Sequence, residues 1–255
     1  MKLPVLAHAP FKILEAVSET LLSLFFPAAC ACCKDIVESR RLGSSCAACW
    51  LDTKLFTTSD TLCAKCGAFL HDTPSGLNAE CGLCREHYYD FARAVGPYDG
   101  AIRSAVIRLK SASVLDGHLK THLISAFERF AYPETHLVIP VPLSKKRRIE
   151  RGHNQAEVIG RFLARQTGIL FDGSTLERSR HSPMHRVAMD RKARELTVKN
   201  TFSVLRPRLI AGKSILLVDD VFTSGATTSN CAKILKKNGA DKVYVFTLAR
   251  AILFS

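Results

Sequence analysis

Eight of the ten cysteines stand in four Cys-x-x-Cys pairs: Cys30/Cys33, Cys46/Cys49, Cys63/Cys66 and Cys81/Cys84. Such a turn aims two thiolates at one point and forms half of a tetrahedral site. Two turns complete a Zn²⁺ shell at Zn–S distances of about 2.3 Å. A single pair could serve redox chemistry; four at these spacings point to two Cys₄ zinc sites. The simplest grouping is sequential, 30/33/46/49 and 63/66/81/84, while an interleaved grouping satisfies the same count. Cys32 neighbours Cys33 and is read as spare. A closed Cys₄ shell leaves no position for water, so the expected role is structural, in folding or docking.

The second chemical stretch is Ile215 to Thr228, ILLVDDVFTSGATT. An apolar run enters two aspartates, Asp219 and Asp220, and small hydroxylated residues follow around Gly225. If Ile215–Val218 is a central parallel strand, the aspartates lie at its carboxyl end, where open α/β sheets bind ligands. Thr223, Ser224, Gly225, Ala226 and Thr227 then lead into a helix whose N-terminal N–H groups form an anion site. Carboxylates suit sugar hydroxyls or Mg²⁺. A phosphorylated sugar satisfies both halves at once. A P-loop reading through Gly212-Lys213-Ser214 fails: the first glycine of that motif falls on Pro207, and a strand follows where a helix is required.

These residues need a scaffold. From about Phe91 onward, strand-like apolar runs alternate with helical patterns, which predicts an α/β domain. The expected strands are Ala92–Val95, Leu137–Val141, Ser214–Asp219 and Val243–Ala249. The expected helices are Ile102–Lys110, Asp116–Phe130, Gln155–Thr167 and Ala226–Asn238, the last with Gly239 at its C′ position. Phe11–Phe26 reads as an amphipathic helix stopped by Pro27. Glu15 and Glu19 precede its apolar cluster and no small-residue cleavage site follows, so a signal peptide is not expected. No stretch reaches the roughly 18 apolar residues of a membrane span. The expected location is the cytoplasm, where disulfides are disfavoured and metal ligation is favoured.

The 255 residues suffice for one large domain or two modest ones, and the net charge of +13 suits an acidic partner: a phosphorylated metabolite, nucleic acid or a membrane surface. Two polar regions, Lys145 to Arg151 and Glu177 to Lys199, read as exposed or mobile. The first directly follows a strand, where sites gather. It has no aromatic residue beside Lys145–Arg148, so it offers bases no stacking platform.

LLVDDVFTSGATT resembles the signature of type I phosphoribosyltransferases, which bind 5-phosphoribosyl pyrophosphate (PRPP). The wider chain resembles the ComF/GntX family, a double zinc ribbon fused to such a domain. The resemblance includes Phe26-Pro27, Cys46-x-x-Cys49-Trp50, Leu109-Lys110, Pro140-Val141-Pro142-Leu143, Arg151-Gly152-His153-Asn154-Gln155-Ala156 and Phe202. It implies an α/β, type I phosphoribosyltransferase fold, with a central, mostly parallel sheet flanked by helices. The implied division is an N-terminal helix over 1–28, a double zinc-ribbon module over 29–90 and a phosphoribosyltransferase-like domain over 91–255.

By the same resemblance, Asp219 and Asp220 hold the ribose 2- and 3-hydroxyls and act in catalysis, and Thr223 to Thr227 bind the 5-phosphate. Lys110 and Ser111 belong to the pyrophosphate loop. Arg148 and Arg151 lie on a mobile loop closing over the site, and Mg²⁺ accompanies PRPP. The family's glutamine after its Arg-x-Arg segment is His185 here. Its arginine-then-asparagine element is Arg194 and Thr197. The implied function is Mg²⁺-dependent phosphoribosyl transfer to an unidentified acceptor, associated with DNA uptake in natural competence. The alternative is a non-catalytic PRPP-binding scaffold contacting single-stranded DNA or a helicase-like partner.

Overall fold

The computed structural model describes residues 27–39, 43–70, 79–178 and 201–251. The Phe11–Phe26 helix and His185, Arg194 and Thr197 lie outside the described residues. So does most of the Glu177–Lys199 region.

A five-stranded parallel sheet forms the centre. Its strands are β1 (Phe91–Pro97), β2 (Leu137–Pro140), β3 (Leu170–Phe171), β6 (Ser214–Phe222) and β7 (Lys242–Arg250), in the order β1-β7-β6-β2-β3. Ile215–Val218 and Val243–Ala249 are buried throughout, because parallel strands are covered on both faces and read as unbroken apolar runs. A short antiparallel pair, β4 (Leu176–Arg178) with β5 (Phe202–Val204), stands apart from the sheet.

One face of the sheet is packed by α2 (Gly100–Ser111), α3 (Gly117–Arg129) and α5 (Gln155–Thr167), through Ile102, Leu109, Leu119, Leu123, Ile159 and Leu163. The other is packed by α7 (Ala226–Lys237), through Cys231, Ala232 and Leu235, with Leu176 and Phe202 of the short pair. α3 and α5 start where side chains satisfy their free N–H groups. Asp116 Oδ1 accepts from Leu119 N at 2.8 Å, and Asn154 Oδ1 accepts from Ala156 N at 3.1 Å.

Lys145–Arg151 is a helix, α4, where the sequence suggested an exposed or mobile segment. It is exposed along most of its length. Ser144 Oγ caps it by accepting from Arg147 N at 3.3 Å, and Gly152 ends it in the left-handed region. Two further short helices are α1 (Ala47–Asp52) and α6 (Pro207–Ile210).

The cysteine module is an internal duplication. Cys30 N donates to Asp35 O and Cys63 N to Ala68 O; Ala31 N donates to Ser44 O and Ala64 N to Ala79 O. The bridges Ala29↔Ile36 and Leu62↔Phe69 match in the same way. The residue directly after the leading Cys-x-x-Cys of each copy has positive φ: Gly67 in the second copy, Lys34 in the first. The module also covers the outer edge of β1. Phe56 N donates to Val95 O at 2.9 Å, and Ala92 N to Lys65 O at 2.7 Å. An open strand edge is a template for unwanted pairing; here the chain's own ribbons occupy it.

Candidate functional site

The chain leaves β2 toward β3 and leaves β6 toward β7 in the opposite direction, so the boundary between β2 and β6 is the switch point of the sheet. β2 ends at Pro140, paired with Val218. Val141 N makes the last bond between β2 and β6, donating to Val218 O at 2.8 Å. β6 continues on its β7 side, with Asp219 beside Thr247 and Phe222 beside Arg250. A cleft of ≈ 520 Å³ opens where β6 outlasts β2.

Asp219, Asp220, Thr223 and Thr227 line this cleft, and Lys110 and Arg151 face them from the ends of α2 and α4. Six expected residues thus meet at one place. Gly225, at φ +78, is buried and turns the chain into α7, whose first-turn N–H groups have no intrahelical partner. Ser224 and Ala226 are exposed on the same loop. Ser111 Oγ donates to Arg108 O at 3.0 Å and Arg148 lies 3.8 Å from Glu157; neither lines the cleft.

Arg147, Arg178 and Gln155 are cleft residues that the sequence did not assign. Gln155 is almost fully buried; its Oε1 accepts from Arg151 at 2.9 Å, while its Nε2 has no partner among the described residues. Its signal was the Arg-Gly-His-Asn-Gln-Ala run. Within that run His153 Nε2 donates to Leu109 O at 2.8 Å and Asn154 Nδ2 donates to Val141 O at 3.0 Å. The motif therefore ties the end of α2 and the chain after Pro140 to the start of α5.

Lys110, Arg147, Arg151 and Arg178 outnumber the two carboxylates, so the cleft attracts anions. Burial, and then the Asp220 charge, push the Asp219 carboxyl well above the usual carboxylate range. A cation or hydroxyl donors there would relieve both effects.

The eight cysteines form two groups, Cys30/Cys33/Cys46/Cys49 and Cys63/Cys66/Cys81/Cys84, with the sulfurs of each group within 4.8 Å of one another. This is the sequential grouping. Cys30–Cys49 and Cys33–Cys46 lie 3.7 Å apart, and Cys63–Cys84 and Cys66–Cys81 3.5 Å apart. Tetrahedral ligands 2.3 Å from one ion are separated by about 3.8 Å, so both groups could hold zinc. The lead sulfur of each receives two backbone N–H groups: Cys32 and Cys46 on Cys30, Cys66 and Cys81 on Cys63. Cys32 stands outside, its Sγ near Ser45 Oγ (3.4 Å) and Ser104 Oγ (3.3 Å).

The described architecture is an α/β domain built on a five-stranded parallel sheet, with its cleft at the switch point, joined to a module carrying two Cys₄ groups. The chain is a homologue of proteins named for competence and DNA utilization. It is 29% identical over 238 residues to competence protein F of Haemophilus influenzae, covering 89% of this chain and 99% of that protein. It is 28% identical over 212 residues to DNA utilization protein YhgH of Escherichia coli K12 (80% and 90%). It is 28% identical over 216 residues to competence protein ComFC of Bacillus subtilis (78% and 82%).

No model of a protein family matches the chain. Among solved structures, glutamine PRPP amidotransferase from B. subtilis aligns over 52% of this chain and 28% of its own, at 20% identity and TM-score 0.38. An adenine phosphoribosyltransferase aligns over 52% and 79%, at 15% identity and TM-score 0.32.

Proposed function

We propose that this protein binds PRPP together with Mg²⁺ in the cleft between β2 and β6 and transfers its phosphoribosyl group to an acceptor. The observation that carries the reading is the meeting of Asp219 and Asp220 with the Gly225 loop at the switch point, opposite Lys110 and Arg151. The carboxylates hold the ribose 2- and 3-hydroxyls, and the loop Thr223–Thr227 takes the 5-phosphate. Lys110, Arg147 and Arg151 face the pyrophosphate, with Ser111 and Arg148 at the rim. Gln155 Nε2 donates to the ligand.

In the reaction the acceptor's electron pair forms a bond to C1 while the C1–O bond to pyrophosphate breaks and its electrons leave with that group. Positive charge grows on the ribose near the carboxylates, and negative charge grows near the cations. Mg²⁺ supplies further neutralisation of the pyrophosphate. The two Cys₄ groups hold structural Zn²⁺ in a module over 29–90, and the transferase-like domain follows over 91–255.

A second reading keeps the pocket without turnover, as a scaffold that contacts single-stranded DNA or a helicase-like partner. The exposed cations of α4 favour it, as do the relatives' names. Calorimetric titration of zinc-replete protein with PRPP and Mg²⁺ decides first, alongside Asp219→Ala/Asp220→Ala. The expected result is saturable binding by the wild type, lost in the double variant. No binding by folded wild type ends the PRPP reading. Binding with no pyrophosphate release across an acceptor screen would favour the scaffold.

A further inference from the structure

We propose that metal in the second cysteine group, Cys63/Cys66/Cys81/Cys84, sets the conformation of the loop before α7, so that metal occupancy and binding of a phosphorylated ligand are linked. The inference rests on the phosphate role given to that loop above.

Three connections run from the cysteines to the loop. The first passes through His87. Its backbone N–H donates to Cys84 O at 3.0 Å. Its ring lies against Gly225 so closely that a Cβ there would sit 2.9 Å from His87 Cε1. The ring is itself held, with Nδ1 2.6 Å from the hydroxyl of buried Tyr89. The second passes through Arg250. Its guanidinium donates to Cys66 O and lies 3.3 Å from Cys66 Sγ. It also sits 4.5 Å over the Phe222 ring. Phe222 is the other wall of Gly225, with Cζ 2.6 Å from the absent Cβ. The third is direct: Tyr88 N donates to Ser229 Oγ at 3.2 Å, in the first turn of α7.

Gly225 is thus wedged between two rings, and each ring is tethered to a ligand-bearing residue of the same cluster. Zn²⁺ with four thiolates carries a net charge of about −2, which fixes Arg250 by charge-assisted contact. Loss of the metal frees Cys84 and Cys66, and with them both walls of the loop. Among the described residues the first group has no such route. Its anchor, Trp50, packs into the core on the opposite face of the sheet, stacked on His122 of α3.

Sequence spacing gave no sign of this link, because His87 and Gly225 are far apart in the chain and the His87 position belongs to no metal motif. Linkage requires reciprocity: if the metal favours ligand binding, ligand retains metal by the same factor.

The test uses full-length, zinc-loaded protein. Zinc release into pyridylazoresorcinol is followed with and without PRPP and Mg²⁺, and hydrogen exchange is read in peptides spanning 222–230 before and after chelation. Two release phases are expected, with PRPP slowing one of them by about fivefold or more. Chelation should raise exchange in 222–230. His87→Ala should keep both zinc ions, weaken PRPP binding by roughly tenfold and abolish the slowing. His87→Phe/Tyr89→Phe retains both rings without an orphaned hydroxyl and should restore binding. If PRPP binds the wild type but neither release nor loop exchange responds, the link is wrong. The same holds if His87→Ala binds PRPP as tightly as wild type. If exchange responds to chelation while PRPP does not bind at all, the phosphate reading is what has failed, and the linkage to ligand goes with it.

Discussion

Asp219 lies where β6 outlasts β2, with Asp220 next to it and Arg147 across the cleft. Burial first, and then the Asp220 charge, raise its carboxyl well above the ordinary carboxylate range. A raised pKa in the folded state means that the folded protein binds the proton more tightly than the unfolded chain. The stability contributed is present below the usual carboxylate pKa and is lost as pH climbs through the raised value. Asp219→Asn removes that loss. At neutral pH the ligand-free variant should melt higher than wild type, and the advantage should shrink as pH falls toward 4. The same change should weaken PRPP binding, an exchange of stability for function. Thermal melts from pH 4 to 8 check it; a variant that melts lower than wild type at pH 7 would refute the account. At this scale the acidic pair and the eight cysteines were legible, because few other arrangements place those residue types at those spacings. Arg147 was not. The family resemblance assigned Arg148 and Arg151 to a loop over the site, whereas a helix puts residues four apart on one face, so Arg147 and Arg151 enter the cleft together.

The elements that carry long apolar runs or a clear helical period were readable to within two or three residues, and Gln155–Thr167 matched in full. β3, β4 and β5 have two or three residues each, too short for any period to register. α4 offers only Ile149 as an apolar residue, and it is exposed, so it has no apolar face to detect. The ribbons' place along β1 was also invisible, since backbone pairing at an edge leaves no trace in side-chain pattern. It has a consequence for metal removal. Structural Zn²⁺ contributes about 10–16 kcal/mol to the folding of small zinc modules, so chelation should melt 29–90 and uncover the β1 edge. Proteolysis of chelated protein should cut within 29–90 while fragments containing β6 and β7 persist, and light scattering should report association that grows with concentration. Verified zinc-free protein that stays monomeric and uncut in 29–90 would overturn this.

Across the whole molecule, the net charge of +13 meets two possible uses, a small polyphosphate and a nucleic acid strand. The cleft cations would serve the first. Lys145 and Lys146 lie on the exposed side of α4 and do not line the cleft. Lys146 is 3.9 Å from Glu150 with its side chain 87% exposed, a pairing too solvated to fix it in place. These two lysines therefore separate the readings. A single strand bound through them releases about 0.7 counterion per neutralised phosphate. Lys145→Gln/Lys146→Gln should then reduce the slope of log K against log salt for an oligothymidylate by about 1.4. Fold stability should change by less than about 0.5 kcal/mol, since neither side chain is buried. PRPP affinity should move by less than threefold, because the cleft keeps Lys110, Arg147, Arg151 and Arg178. A slope that does not change would place any strand elsewhere on the surface. A large loss of PRPP affinity with the slope intact would instead assign the α4 lysines to the ligand's approach, since charges near a charged cleft raise the encounter rate of an anion without touching it once bound.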